Sequence, residues 1–334
     1  MKNENKNENA TFRALMARKT EAGQVVALET ITEADLPEAD VTVDIEYSSF
    51  NYKDGLALKG RNRILRTLPM VPGIDFAGTV RSSTNPQFKP GEKVVLTGWG
   101  VGETWWGGFA ERARVKGEWL VKLPSGLTPR QAMILGTAGL TAMLCVDALE
   151  RHGIKPGGEI VVTGAAGGVG SIAVRLLSRL GYQVSALTGR QSEEAFLKTL
   201  GAQEIVARDL YAAPGKPLLG ERWDGAVDTV GGQILANVLA ATRYDGAVAA
   251  CGLAAAADLP ATVFPFILRN VALVGVDSVY CPHERRLRAW TRLAEILEER
   301  DFALLAQEVG LEDLPRLADD ILAGRVRGRT LVRI

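Results

Sequence analysis

Residues 159–180 constrain the fold of this chain more than any other stretch. The β-branched run Glu159-Ile160-Val161-Val162-Thr163 leads directly into Gly164-Ala165-Ala166-Gly167-Gly168-Val169-Gly170-Ser171. Val169, Ile172, Ala173, Leu176, Leu177 and Leu180 then recur at helical spacing, and Gly181 supplies a stop. Strand, glycine loop and amphipathic helix in that order predict the start of a βαβ unit. Ala165 stands where the first glycine of such loops usually stands. Gly167 lets the backbone approach a ligand and Gly170 lets the helix lie close on the strand, while the free N–H groups and the helix dipole favour phosphate. Five more short runs follow the first, Ile160–Thr163: Val184–Leu187, Glu204–Val206, Ala226–Asp228, Ala247–Cys251 and Val271–Val276. With helical patterns between them, they predict a doubly wound parallel sheet of six strands.

A chain of 334 residues exceeds what one core usually serves, so a second domain is expected. From Phe12 to about Leu123 the texture is different: apolar alternation such as Val41, Val43, Ile45, broken by Pro72-Gly73 and Pro90-Gly91, predicts a strand-rich, barrel-like domain. A helix is expected over Glu284–Arg300, and the closing segment Thr330–Ile334 should return to the first domain. The predicted organisation is an α/β chain with a tail over 1–10 lacking fixed structure, a barrel-type domain over 11–130 and 303–334, and a dinucleotide-binding domain over 131–302.

Equal numbers of basic and acidic residues, 39 each, argue against nucleic acid as a partner. Three well-separated cysteines indicate no disulfide framework. The polar opening MKNENKNENA has no secretory h-region, and no apolar run is expected to approach the length of a membrane span. A cytoplasmic protein with no membrane partner is the expectation.

The end of the second strand bears on the choice of dinucleotide. NAD enzymes place a carboxylate there for the ribose 2′-hydroxyl. Here the chain reads Thr188-Gly189-Arg190, a hydroxyl and a guanidinium fork suited to a 2′-phosphate, with Arg208 after the third strand as a second contact. The expected cofactor is NADPH, held by Ala166, Gly167, Gly168, Val169, Thr188, Gly189, Arg190 and Arg208.

The glycine loop, Asn51-Tyr52-Lys53-Asp54 and Pro72-Gly73-Ile74-Asp75-Phe76-Ala77-Gly78 together resemble the quinone-oxidoreductase-like branch of the medium-chain dehydrogenase/reductase superfamily. That resemblance implies a GroES-like β-barrel-type catalytic domain beside a Rossmann domain. Within the branch, Leu96–Gly102, Ala250-Cys251-Gly252-Leu253 and Phe264–Val271 are similar to the acrylyl-CoA reductases, which reduce acrylyl-CoA to propionyl-CoA with NADPH. The resemblance implies catalytic roles for Tyr52, Asn51 and Asp54, with Tyr52 also touching the cofactor, and nicotinamide-side contacts from Leu253, Ile267 and Ser278. Tyr52 could instead only pack on the cofactor, and Asn51 and Asp54 could cap local turns. Arg61, Arg63, Trp106 and Arg325 are candidates for the substrate, with Lys59 and Arg66 flanking the first two as further positive charge where the phosphates of CoA could rest, against the plainer reading of solvated or packing side chains. Zinc-dependent members hold their metal with cysteine and histidine. Here Asn51–Asp54 and Ile74 stand in those segments and no metal is expected. A homodimer joined at the edge strand Val271–Val276 is expected.

Two further functions stay open on the sequence: reduction of quinones or other activated alkenes, and an NADPH-binding structural or RNA-binding protein without turnover.

Overall fold

The computed structural model describes residues 11–21 and 23–334; the tail expected over 1–10 lies outside the described residues. Its strands are β1 Thr11–Thr20, β2 Gly23–Thr32, β3 Val41–Phe50, β4 Asp75–Ser83, β5 Lys93–Thr97, β6 Arg112–Val115, β7 Val121–Lys122, β8 Glu159–Thr163, β9 Gln183–Thr188, β10 Glu204–Ala207, β11 Trp223–Asp228, β12 Thr242–Ala250, β13 Ala272–Gly275, β14 Ala306–Gly310 and β15 Arg329–Arg333. Among its helices are α1 Tyr52–Leu58, α2 Pro129–Arg151 and α3 Gly168–Arg179. The chain divides into two compact units. One comprises the residues up to Thr137, Val279–Leu287 and Ala306–Ile334; the other comprises Ala138–Ser278 and Arg288–Leu305.

In the first unit β1 and β2 form an antiparallel hairpin, and seven strands form a sheet in the order β14-β15-β3-β4-β5-β7, with β6 paired to β3. The alternation read in the sequence is realised in β3, where Val41, Val43 and Ile45 are buried with Phe76, Val80, Val94 and Leu96 of the neighbouring strands. The last strand lies against β3 with Leu331 opposite Ser49, and β3 lies against β4 with Ser48 opposite Phe76. This register brings the end of β3 and the starts of β4 and β15 to one place.

In the second unit the order β10-β9-β8-β11-β12-β13 is all parallel, the 3-2-1-4-5-6 arrangement of a doubly wound sheet. The six strands coincide with the six predicted runs, with shifts at their ends. Its core joins Val161, Leu187, Val206, Trp223, Leu239 and Val248.

Two sequence expectations need correction. The helix expected over Glu284–Arg300 is two helices, His283–Ile296 and Glu299–Leu305. The buried Asp301 carboxylate accepts the Glu298 N–H at 2.9 Å and the Arg175 and Arg179 guanidiniums, which starts a new helix there. The expectation about apolar length also fails for α2, which is long and apolar enough to cross a membrane, although 89% of its apolar window is buried inside the protein. The chain of α2 breaks at Gly136, whose φ of 54° and ψ of −153° are not helical.

Candidate active site

The second unit builds its site largely from backbone. Gly164 turns the chain at the end of β8 with φ +58°, and α3 begins at Gly168. A Cβ on Gly170 would lie 2.3 Å from the Gly164 carbonyl oxygen, so helix and strand can close only on glycine. At Gly167 an added Cβ would meet only that carbonyl, at 3.2 Å, which leaves its outer face open to a ligand. Behind the loop, Asp228 at the end of β11 accepts the Thr163 hydroxyl at 2.7 Å and the Gly231 N–H at 2.8 Å. Burial holds its carboxyl above the ordinary range. The Thr229 N–H and hydroxyl complete the brace on Thr163. Sequence reasoning missed this brace because its members are small polar residues on separate strands.

At the end of β9 the Arg190 guanidinium donates to the Ala166 carbonyl at 2.9 Å, and the Arg190 N–H donates to the Thr188 hydroxyl at 3.1 Å. Gly189 has no side chain to hold off Arg208, whose guanidinium carbon would lie 2.7 Å from an added Cβ. Two guanidiniums and a hydroxyl therefore flank the glycine loop, and the strand end carries no carboxylate. These residues fit a dinucleotide with an additional phosphate. Leu253 and Ile267, expected on the nicotinamide side, are 66% and 68% exposed. Ser278 is buried and accepts the Thr141 hydroxyl at 2.8 Å.

The first unit builds its site from side chains. Asn51 precedes α1, and Asp54 reaches back to accept the Asn51 N–H at 2.8 Å, a reciprocal helix start of the capping-box kind. Asp54 also accepts the Asn51 amide at 3.1 Å and the Ile74 N–H at 3.1 Å. Asp75, at the start of β4, gathers the Ser49 hydroxyl at 2.6 Å, the Asn51 amide at 2.9 Å, the Thr137 N–H at 2.8 Å and the Thr137 hydroxyl. Arg329, at the start of β15, donates to the Asn51 side-chain oxygen at 3.2 Å and the Ile134 carbonyl at 2.9 Å. Its Nη2 is buried without a hydrogen-bond partner. Gly136 is required here, since a Cβ would meet Ser49 Oγ at 2.6 Å and Asp75 Oδ2 at 2.7 Å.

Asp54, Asp75 and Arg329 are all buried. Burial, then the charge of Asp75, pushes the Asp54 carboxyl up to about 7, and burial lowers Arg329. Tyr52 opens α1 and is 45% exposed, with its neighbour Lys53 paired to Glu103 at 2.9 Å. Of the four substrate candidates, Arg61 and Arg63 are exposed in the loop after α1. Trp106 is half-buried and its indole N–H donates to the Pro69 carbonyl at 3.3 Å, while Arg325 is paired to Asp320 at 2.7 Å. Sequence reasoning did not assign Asp75, Ser49 or Thr137 to the site. Asp75 lies in the Pro72–Gly78 segment that carries the family resemblance, which was the one available signal.

The fold and these two constellations define a nicotinamide-dependent oxidoreductase of two units, and the chain belongs to the medium-chain dehydrogenase/reductase superfamily, among its quinone-oxidoreductase-like members. Residues 37–125 match the alcohol dehydrogenase GroES-like domain and residues 168–295 match the zinc-binding dehydrogenase family. The probable acrylyl-CoA reductase AcuI of Escherichia coli K12 is 55% identical, over 97% of this chain and 100% of that one. The acrylyl-CoA reductase AcuI of Ruegeria pomeroyi is 52% identical, over 97% and 99%. The YhdH oxidoreductase of Salmonella enterica, solved in complex with NADP, is 56% identical over 96% of this chain and 99% of that chain, with a TM-score of 0.95.

The second family's description implies zinc, and the donor set does not fit it. Among the described residues no group of three His, Cys, Asp or Glu side chains is placed to hold a metal ion. The buried carboxylates Asp54 and Asp75 are already engaged by N–H and O–H donors.

Proposed function

We propose that this protein is an acrylyl-CoA reductase: it reduces the 2,3 double bond of acrylyl-CoA to give propionyl-CoA, with NADPH as reductant. The observation that carries this reading is the near-full-length match to an acrylyl-CoA reductase, joined to the two guanidiniums at the end of β9. Bound NADPH would supply a hydride to the β-carbon of the enoyl thioester.

Residues 131–302 serve the cofactor in this reading, and 11–130 with 303–334 serve catalysis. Ala166, Gly167, Gly168 and Val169 take the pyrophosphate at the start of α3; Thr188, Gly189, Arg190 and Arg208 take the 2′-phosphate; Tyr52, Leu253, Ile267 and Ser278 border the nicotinamide. After hydride addition the thioester oxygen carries charge and the α-carbon needs a proton. Tyr52 supplies or relays it, and Asn51 and Asp54 hold Tyr52 at the start of α1. Arg61, Arg63, Trp106 and Arg325 are assigned to the substrate. The protein works in the cytoplasm as a homodimer, its subunits joined at β13. That strand closes one side of the six-stranded sheet.

Steady-state rates with acrylyl-CoA, crotonyl-CoA and a quinone, at saturating NADPH, test the assignment. The expected order of kcat/KM puts acrylyl-CoA first. A quinone preferred over both thioesters overturns it.

A further inference from the structure

The loop Gly60–Arg66 leaves α1, the helix that Tyr52 opens, and returns towards its start. Its first residues close the helix, with the Gly60 N–H on Ala57 at 3.1 Å and the Arg61 N–H on Leu56 at 2.9 Å. Its last is held by the Arg66 N–H on the Glu103 carbonyl at 2.9 Å. Leu65 is buried against Ala17, Ala57 and Met70, which fixes the middle. In between, Asn62 and Arg63 take φ of 55° and 48°, two adjacent non-glycine residues in the left-handed region, which is costly and marks functional segments.

Among the described residues, this pinned loop presents three arginines with no carboxylate paired to them. Neighbouring cations are paired: Lys53 with Glu103, Lys59 with Asp319 at 2.7 Å and Arg325 with Asp320. Among the described residues, the side chains of Arg61, Arg63 and Arg66 have no ion pair and no hydrogen bond. Three open guanidinium forks within six residues suit a polyanion with several phosphates. The seven residues of α1 put Arg61, just past its end, about 10 Å along the helix axis from Tyr52, so a ligand reaching both needs a linker between its reacting end and its phosphates.

We infer that Arg61, Arg63 and Arg66 form a clamp for the 3′-phosphorylated ADP end of coenzyme A, and that the enzyme thereby selects free CoA thioesters over the same acyl group on pantetheine alone. Of the four cations in this stretch, Lys59 is already paired with Asp319, which leaves the three arginines for the phosphates. This inference rests on the enoyl thioester reading above.

The test compares kcat/KM for acrylyl-CoA, acrylyl-dephospho-CoA and acrylyl-pantetheine in the native enzyme and in the combined Arg61→Gln, Arg63→Gln, Arg66→Gln variant. The native enzyme should favour acrylyl-CoA over acrylyl-pantetheine, with the dephospho form between them. In the variant that ratio should fall by about tenfold for each guanidinium removed, through KM rather than kcat. A ratio equal in both proteins overturns the clamp, as does a native ratio near one. Should the variant not fold, raising the ionic strength with the native enzyme decides the same question. The CoA preference must shrink with added salt, and a salt-independent preference overturns the proposal. A native enzyme that turns over no thioester but does reduce quinone defeats the functional reading itself. Thioester turnover without phosphate selectivity defeats only the clamp.

Discussion

The glycine loop of the second unit and the Asn51–Asp54 corner of the first solve the same problem, fixing polar groups where chemistry needs them, by opposite means. The loop is local: one strand, one turn and one helix start, shaped by where side chains are missing. The corner is non-local and made of side chains. Arg329 meets Asn51 across 278 positions of sequence, and Asp75 meets Thr137 across 62. Backbone sites of the first kind tolerate change outside their glycines. Corners of the second kind depend on their members together, because Asn51, Asp54, Asp75 and Arg329 are linked through shared hydrogen bonds.

Removing Arg329 should break this contrast most visibly. Arg329→Ala removes the donor to the Asn51 side-chain oxygen and the Ile134 carbonyl together with the buried charge that Asp75 and Asp54 act on, and disrupting a buried charged arrangement in this way costs about 3–5 kcal/mol. Urea unfolding should show a loss of that size, and a loss below about 1 kcal/mol would mean the corner is not interlocked. On the other side, Tyr52→Phe should leave folding intact but reduce kcat by about a hundredfold or more if the hydroxyl handles the proton. Unaltered kcat would reassign the ring to packing. Arg190→Ala tests the loop: loss of one charge-assisted bond should weaken NADPH by about ten- to hundredfold while NADH changes little. Equal losses for both dinucleotides, read by fluorescence titration, would remove Arg190 from the 2′-phosphate.

A separate effect concerns pH. Asp54 titrates at about 7 in the folded protein against 3.8 ordinarily. Between those values the folded state holds a proton that the unfolded state has released, so stability is greatest near pH 4, falls as pH rises to 7 and is flat above. Asp228, also raised, adds a slope of the same sign. Carboxylates held below their ordinary range, such as Asp301, act only at pH below about 4 and do not interfere. Unfolding measured between about pH 5 and 8 should show this decline, and Asp54→Asn should flatten it. A slope untouched by that substitution would assign the titration elsewhere.

The fold was legible where neighbours in the chain are neighbours in space. Six β-branched runs, the helical period after Gly168 and the absence of a carboxylate after β9 were all readable, because each is a property of a short stretch of consecutive residues. The start of a second helix at Glu299 was not, since it depends on Asp301 being held by Arg175 and Arg179 from α3.

Asn51 and Asp54 could be picked out as a motif, but their partners could not. The parallel sheet, its glycine turn and the cationic end of β9 are written in the order of the residues, since local backbone conformation and short-range periodicity specify them. Which buried charges meet is settled only when the chain is folded. The pairing of β15 with β3 and of β3 with β4 sets Arg329, Asn51 and Asp75 at one end of adjacent strands, and strand register is a property of the assembled sheet.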